Sequence, residues 1–344
     1  MIEDEEGSSP QQLLDINNKS SISDVFIVGF RIPLNYRLFL FNMFLIIYIL
    51  TLSCNLLIIL LMFFSKLSHS PMYVLLSNLS LSEILFTSNI APPMLHVISR
   101  DGAMFSLVGC FIQFYLFGSL GALESFLLSA MSYDRFLAIC KPLNYSLIIN
   151  PRTCLSLILV SWMSAFLIMS IFLSFLKTLN FCSTNIIDHF FCDFVPLLKL
   201  SCSDTSTVQI VVSLLSSTAT VFPFLLIIAT YGFIIKAITG ISSAKGKKKA
   251  FSTCSSHLGV VSIYYATLIM VYEIPSGHSL VVNKVLSLLY TVLTPLLNPF
   301  IYTLRNQEIK TAITQIWTSK RRVYIFKRKL GCCHKVKEFK KKKK

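Results

Sequence analysis

Seven separated apolar runs constrain this chain more than any other feature. They cover residues 38–64, 71–95, 110–136, 154–176, 208–236, 251–272 and 281–304. Most reach the roughly 20 residues that a helix needs to cross a bilayer. Only helices and closed barrels satisfy every backbone polar group in lipid, and runs this long and continuous read as helices. Composition agrees, with 54% hydrophobic and 14% charged residues. A soluble domain of 344 residues could not hide that much apolar surface. Prolines inside the runs (Pro92, Pro93, Pro223, Pro295, Pro299) suit membrane helices, whose neighbours can satisfy the freed carbonyls. The expected fold is therefore all-α, a seven-transmembrane helix bundle. Residues 1–37 form an external segment, 38–304 the bundle, 305–319 a short amphipathic stretch on the membrane surface and 320–344 a basic tail.

Charge sets the orientation. Lys66, Lys141, Arg152, Lys236, Lys245, Lys247, Lys248 and Lys249 share one side with the tail. The opposite side carries Arg100, Asp101, Asp188, Asp193, Lys199 and Asp204 with the acidic start Glu3 to Glu6. The positive-inside rule places the C-terminus in the cytoplasm, and seven spans then put the N-terminus outside. No charged stretch followed by a short apolar run opens the chain, so the first span is expected to be the targeting anchor. Asn18-Lys19-Ser20 is a glycosylation sequon on the external side. The net charge of +15 resides mainly in residues 320–344, whose 13 Lys/Arg and single acid, Glu338, sum to +12. A basic run beside a last span points to anionic lipid rather than nucleic acid. Cys332 and Cys333 beside it are palmitoylation candidates or plain thiols.

Ionisable groups inside spans are functional candidates by default. Glu83 lies about 18 Å from the cytoplasmic end of the second span, and Glu124 about 16 Å above Arg135. Asn55 and Asn298 lie about 15 Å and 10 Å above the inner ends of their own spans. Four polar side chains from four helices thus reach similar depths. They would hold either one cation such as Na⁺ or a proton shared between the two carboxylates. At the inner end of the third span, Asp134-Arg135 reads as a two-state pair or as an interfacial snorkelling arginine. Asn298-Pro299 in the seventh span permits a kink that polar neighbours can settle in more than one way.

Four cysteines, Cys110, Cys182, Cys192 and Cys202, fall on the oxidising side and allow three pairings, which spacing does not resolve. His189 with Cys192 is a weaker metal alternative. An apolar ligand needs a cavity with a few orienting polar groups. The outer halves of three spans offer that mixture: Phe117, Gly118 and Gly121 in the third, Leu215, Ser216 and Ala219 in the fifth, Tyr265, Leu268 and Tyr272 in the sixth. The alternative is helix packing, which small residues also favour. No metal-spaced His/carboxylate cluster, phosphate-cradling loop or nucleophile motif supports an enzyme. A channel or transporter using Glu83 and Glu124 is the competing class, but repeated halves are absent from the sequence.

The motifs add a resemblance. Pro71-Met72-Tyr73 with Leu76 to Ser80, Met131 to Cys140 with Pro142 to Tyr145, Lys249 to Leu258, and Pro295 to Tyr302 with Leu304 to Asn306 occur in order on four spans. Together they resemble the olfactory receptors, a family of rhodopsin-like G-protein-coupled receptors. Departures are Cys54 where the family usually has Gly, Ser132 where Ala is usual, and Tyr264-Tyr265-Ala266 where Phe-Tyr-Gly is common. The resemblance implies disulfides Cys110–Cys192 and Cys182–Cys202, a small-molecule odorant ligand and no enzymatic activity. It also implies coupling to a stimulatory heterotrimeric G protein through Asp134, Arg135, Tyr231, Lys249, Asn298, Pro299 and Tyr302. Cyclic-AMP production in the plasma membrane of olfactory cilia would follow.

Overall fold

The computed structural model describes residues 22–65, 70–182, 184–240, 242–272 and 280–305, with 309–311 and 313–314 as further short stretches. Seven long helices dominate it: α1 (Leu34–Phe64), α2 (Pro71–Arg100), α3 (Leu107–Cys140), α4 (Pro151–Leu176), α5 (Ser206–Gly240), α6 (Ala244–Tyr272) and α7 (residues 280–305). Each contains one of the seven apolar runs, and most outrun it by a turn or so at one or both ends. The helices continue because caps and interfacial polar groups, not loss of apolarity, terminate them. Ser106 Oγ accepts from Gly109 N–H at the start of α3, and Asn150 Oδ1 from Thr153 N–H at the start of α4. Pro71 and Pro151 occupy first-turn positions, where a missing N–H costs nothing.

Six of the helices have a window long and apolar enough to cross a membrane; in α6 the apolar stretch is shorter, His257–Ile269. Leu56, Leu57 and Leu60 of α1, Leu155, Leu159 and Met163 of α4, and Phe222 and Leu225 of α5 are exposed. Such faces suit lipid and would be untenable in water. The buried core runs along α3, which packs against α2, α4, α5 and α6. Leu123, Leu127, Leu128 and Met131 are fully enclosed there.

A three-stranded sheet lies over the extracellular end, in the order β2-β1-β3, with β1 Asp24–Ile27, β2 Ala103–Ser106 and β3 Ile186–Ile187. β1 pairs antiparallel with β2 and parallel with β3, so the amino-terminal segment is the central strand joining two external loops. Its alternation buries Val25 and Ile27. Gly102, with φ +114°, makes the turn before β2, and the Phe26 ring packs where its side chain would stand.

α7 is not uniform. A π-helical turn occupies Leu289–Leu293 between regular segments Leu280–Leu288 and Thr294–Arg305. Thr294 Oγ1 donates to the Leu289 carbonyl at 3.2 Å across that turn. Such turns occur often at functional sites.

Candidate functional site

The polar cluster predicted from depth alone comes together at the middle of the bundle. Asn298 Nδ2 of α7 donates to Glu83 Oε1 of α2 at 2.5 Å and to Glu124 Oε1 of α3 at 3.1 Å. Asn55 Nδ2 of α1 donates to Thr51 O at 3.1 Å and across to Pro295 O at 3.3 Å. The second bond has a covalent cause: Pro299 has no N–H to give the carbonyl four residues back, and that carbonyl is Pro295's. Asn55 supplies the missing donor, tying α1 to the proline-bearing segment of α7. All four residues are buried, as is Tyr302 one turn below Asn298. Glu83 Oε2, Asn55 Oδ1 and Asn298 Oδ1 are buried acceptors with no hydrogen bond among the described residues. A set made only of oxygens fits a hard monovalent cation and equally fits one shared proton.

Toward the cytoplasm, Asp134 Oδ1 accepts from the Tyr145 hydroxyl at 2.8 Å instead of binding its neighbour Arg135. Arg135 Nε is buried without a partner, and Arg135 enters no ion pair among the described residues. His257 of α6 joins three helices: Nε2 lies 3.0 Å from Leu128 O of α3, and Nδ1 lies 2.8 Å from the Tyr231 hydroxyl of α5. A carbonyl only accepts, so Nε2 carries the proton and Nδ1 receives the tyrosine's. His257 lies within the sixth-span motif, where the sequence alone assigns it no role. Its placement three residues after Cys254 on a polar stripe of α6 was the available signal. Two departures from the family pattern also make contacts here. Ser132 Oγ hydrogen-bonds Thr230 Oγ1, joining α3 to α5. The Tyr264 hydroxyl bonds Gly121 O and Ser125 Oγ, each at 2.8 Å, joining α6 to α3.

The expected ligand residues divide. Phe117, Ala219 and Tyr265 are buried, while Leu215 and Leu268 are half-buried against the core. Phe117 packs among Phe86, Phe191 and Tyr290, and Tyr265 lies tilted against Phe224 with ring centres 4.5 Å apart. A side chain at Gly121 would meet nothing within 4 Å, so space does adjoin it. A side chain at Gly118 would meet the end of the flexible Met169 side chain, so the glycine lets that thioether of α4 lie close against α3. Ser216 is exposed and its hydroxyl bonds back to Val212 O at 2.8 Å. The side chains of Lys249 and Tyr272, and the whole of Asn18, Cys332, Cys333 and the basic tail, lie outside the described residues.

The extracellular end is bound covalently. Cys110–Cys192 and Cys182–Cys202 are bridged, with Cα–Cα distances of 5.4 Å and 5.7 Å. The first bridge consumes Cys192 and removes it as a metal ligand beside His189. That loop also carries an ion pair that sequence reasoning missed. Lys284 Nζ of α7 bonds Asp188 Oδ1 at 2.5 Å and Gly29 O of the amino-terminal segment at 2.7 Å. Nothing in the sequence brings residues 29, 188 and 284 together. Burial, then the Lys284 ammonium, lowers the His189 imidazole to about 3, so it stays neutral. Burial raises the Asp193 carboxyl to about 6 against the hydrogen bond it accepts from Phe194 N–H.

Seven membrane helices around a polar cluster on α1, α2, α3 and α7, with a disulfide pinning an external loop to α3, define a rhodopsin-like receptor bundle. A family model described as olfactory receptor matches residues 44–320. The chain is 42% identical to olfactory receptor 1E16 of Mus musculus over 305 residues, 88% of this chain and 97% of that one. Against olfactory receptor 1E2 of Gorilla gorilla gorilla identity is 42% over 309 residues, 90% of this chain and 98% of that one. Olfactory receptor-like protein I9 of Rattus norvegicus is 41% identical over 304 residues, covering 88% and 97%. The chain belongs to the olfactory receptor family. It is a multi-pass, odorant-sensing membrane receptor and not an enzyme.

Proposed function

We propose that this receptor binds a small hydrophobic odorant among the outer halves of α3, α5 and α6 and activates a stimulatory heterotrimeric G protein, raising cyclic AMP in olfactory cilia. The observation that carries the coupling half is Arg135. Its neighbouring acid is engaged by Tyr145, and its own Nε is buried without a partner. A buried guanidinium N–H without an acceptor is costly, and a helix terminus of a docking G protein would offer carbonyl acceptors. Outward movement of the inner end of α6 would open the way, with Tyr231, His257 and Lys249 on the moving boundary. The ligand acts by binding the open packing more tightly than the closed one.

In the same reading, Glu83, Glu124, Asn55 and Asn298 hold Na⁺ in the closed state, and the basic tail rests on anionic lipid. The orphan oxygens at mid-bundle support the first statement, and the charge of residues 320–344 the second. The test is a cyclic-AMP screen against an odorant panel in cells supplying the stimulatory G protein. Arg135→Ala should reach the surface and lose the odorant response by at least tenfold, about 1.4 kcal/mol of coupling. Wild-type signalling from that variant would reject the role.

A further inference from the structure

Between α2 and α3, at the extracellular third of the bundle, lies a crevice of about 330 Å³ lined by none of the residues proposed above to bind the odorant. Its walls include Ser88, Asn89 and Pro93 from α2, Phe105 from β2, and Gly109 and Ile112 from α3. We propose that it is a second small-molecule site, open to the outer leaflet, for a neutral apolar compound bearing one hydroxyl.

Consecutive prolines shape the α2 wall. Pro92 and Pro93 cannot donate to the carbonyls four residues back, those of Ser88 and Asn89. Asn89 O is satisfied across the crevice by Gln113 Nε2 at 3.1 Å. Asn89 Nδ2 returns a bond to Gln113 O at 2.9 Å, which fixes the amide and leaves Oδ1 as an acceptor without a partner among the described residues. The Ser88 carbonyl loses its regular helical donor. Opposite, Ser106 Oγ accepts from Gly109 N–H at 3.1 Å and keeps its own proton to give. The crevice therefore offers acceptors and the Ser106 hydroxyl as a donor, and no charged side chain lines it. That chemistry takes a hydroxyl and refuses an ion.

Access and size narrow the ligand further. Ile112, a wall residue within the third apolar run, is 55% exposed on the outer face of α3, so the opening faces outward toward lipid rather than into the bundle interior. The volume sits at the lower end of small-molecule pockets, too small for a whole phospholipid. A side chain built on Gly109 would meet only Ser106 Oγ, at 3.0 Å, so the glycine leaves the space open. Behind it, Gln113 Oε1 accepts from Cys192 N–H at 2.9 Å, placing the site against the junction of α3 with the second external loop.

The test uses the full-length receptor in bilayer nanodiscs with a diazirine-bearing decanol, irradiated and mapped by peptide mass spectrometry. Adducts are expected within residues 88–93 or 105–112, saturable by excess decanol, with the carboxylate and ammonium analogues failing to label there. Gly109→Phe and Ile112→Trp should each cut that labelling roughly tenfold, the effect of about 1.4 kcal/mol of lost binding. Where either variant fails to fold, saturation on the unmodified chain decides. Non-saturable labelling, equal labelling by the charged analogues, or adducts confined to the bundle interior would overturn the proposal. The readout does not involve G-protein coupling, so its failure is separate from that of the receptor mechanism.

Discussion

At the extracellular end, two disulfides, a three-stranded sheet and all three ion pairs among the described residues fasten the loops to one another. At the cytoplasmic end, segments are joined by single side-chain hydrogen bonds and no ion pair among the described residues: Tyr145 to Asp134, Tyr231 to His257, Ser132 to Thr230. Covalent and ladder contacts break together or not at all. Lone side-chain bonds exchange one at a time at about 1 kcal/mol each. The difference teaches that the outer end is built to keep one shape while the inner end is built to change partners. Arg135, half-buried at the exchangeable end with its enclosed Nε lacking an acceptor, is the sharpest instance.

The largest effect that would break this contrast is expected from Cys110→Ser. The bridge spans 82 residues of sequence, and losing such a bridge costs about 2–5 kcal/mol. Surface delivery, counted by flow cytometry on an external tag, should fall to background. Ample delivery of the variant would show that the sheet alone holds the outer end.

Asp188→Asn comes next. It leaves the mostly enclosed Lys284 ammonium with Gly29 O but without its carboxylate. Thermal unfolding of purified receptor should show a loss of about 1–3 kcal/mol. Arg31 contributes little to the expected loss, because its side chain is 69% exposed and screened. An unchanged melting curve would assign the outer end's rigidity to backbone and disulfides alone.

The smallest effect is a cancellation. Folding depresses the His189 pKa from 6.5 to about 3, so its contribution is present above pH 6.5 and lost as pH falls toward 3. Folding raises the Asp193 pKa from 3.8 to about 6, so its contribution is present below pH 3.8 and lost as pH rises through 6. Between pH 4 and 6 the two oppose each other, and wild-type stability should vary by less than about 1 kcal/mol. His189→Phe, which keeps an aromatic ring between Phe190 and Phe191, should unmask a gain of about 2–3 kcal/mol on acidification from pH 6 to 4. A flat profile in that variant would remove Asp193 as the opposing group.

The two ends also differ in how far they could be read from sequence. Helices were legible because apolarity over some 20 residues leaves lipid no other solution. The mid-bundle cluster was legible as depth: counting residues from helix ends put Glu83, Glu124, Asn55 and Asn298 at comparable levels, and helical rise is constant. The Asn55 bond to Pro295 O was not foreseen, although Pro299 encodes the orphan carbonyl. The disulfide pairing came from family resemblance, since four cysteines carry no pairing information of their own. The outer sheet escaped because β1 is four residues long and its partners are about 80 and 160 residues away.

The most direct measurement places one label pair at Lys141 and Phe251, at the exposed inner ends of α3 and α6, and another at Met104 and Ile186, on the exposed outer sheet. Distances are read by pulsed electron spin resonance in nanodiscs, with and without nucleotide-free stimulatory G protein. The inner pair should separate by several ångström while the outer pair keeps a single unshifted distribution. A shift in the outer pair with none in the inner would contradict the account.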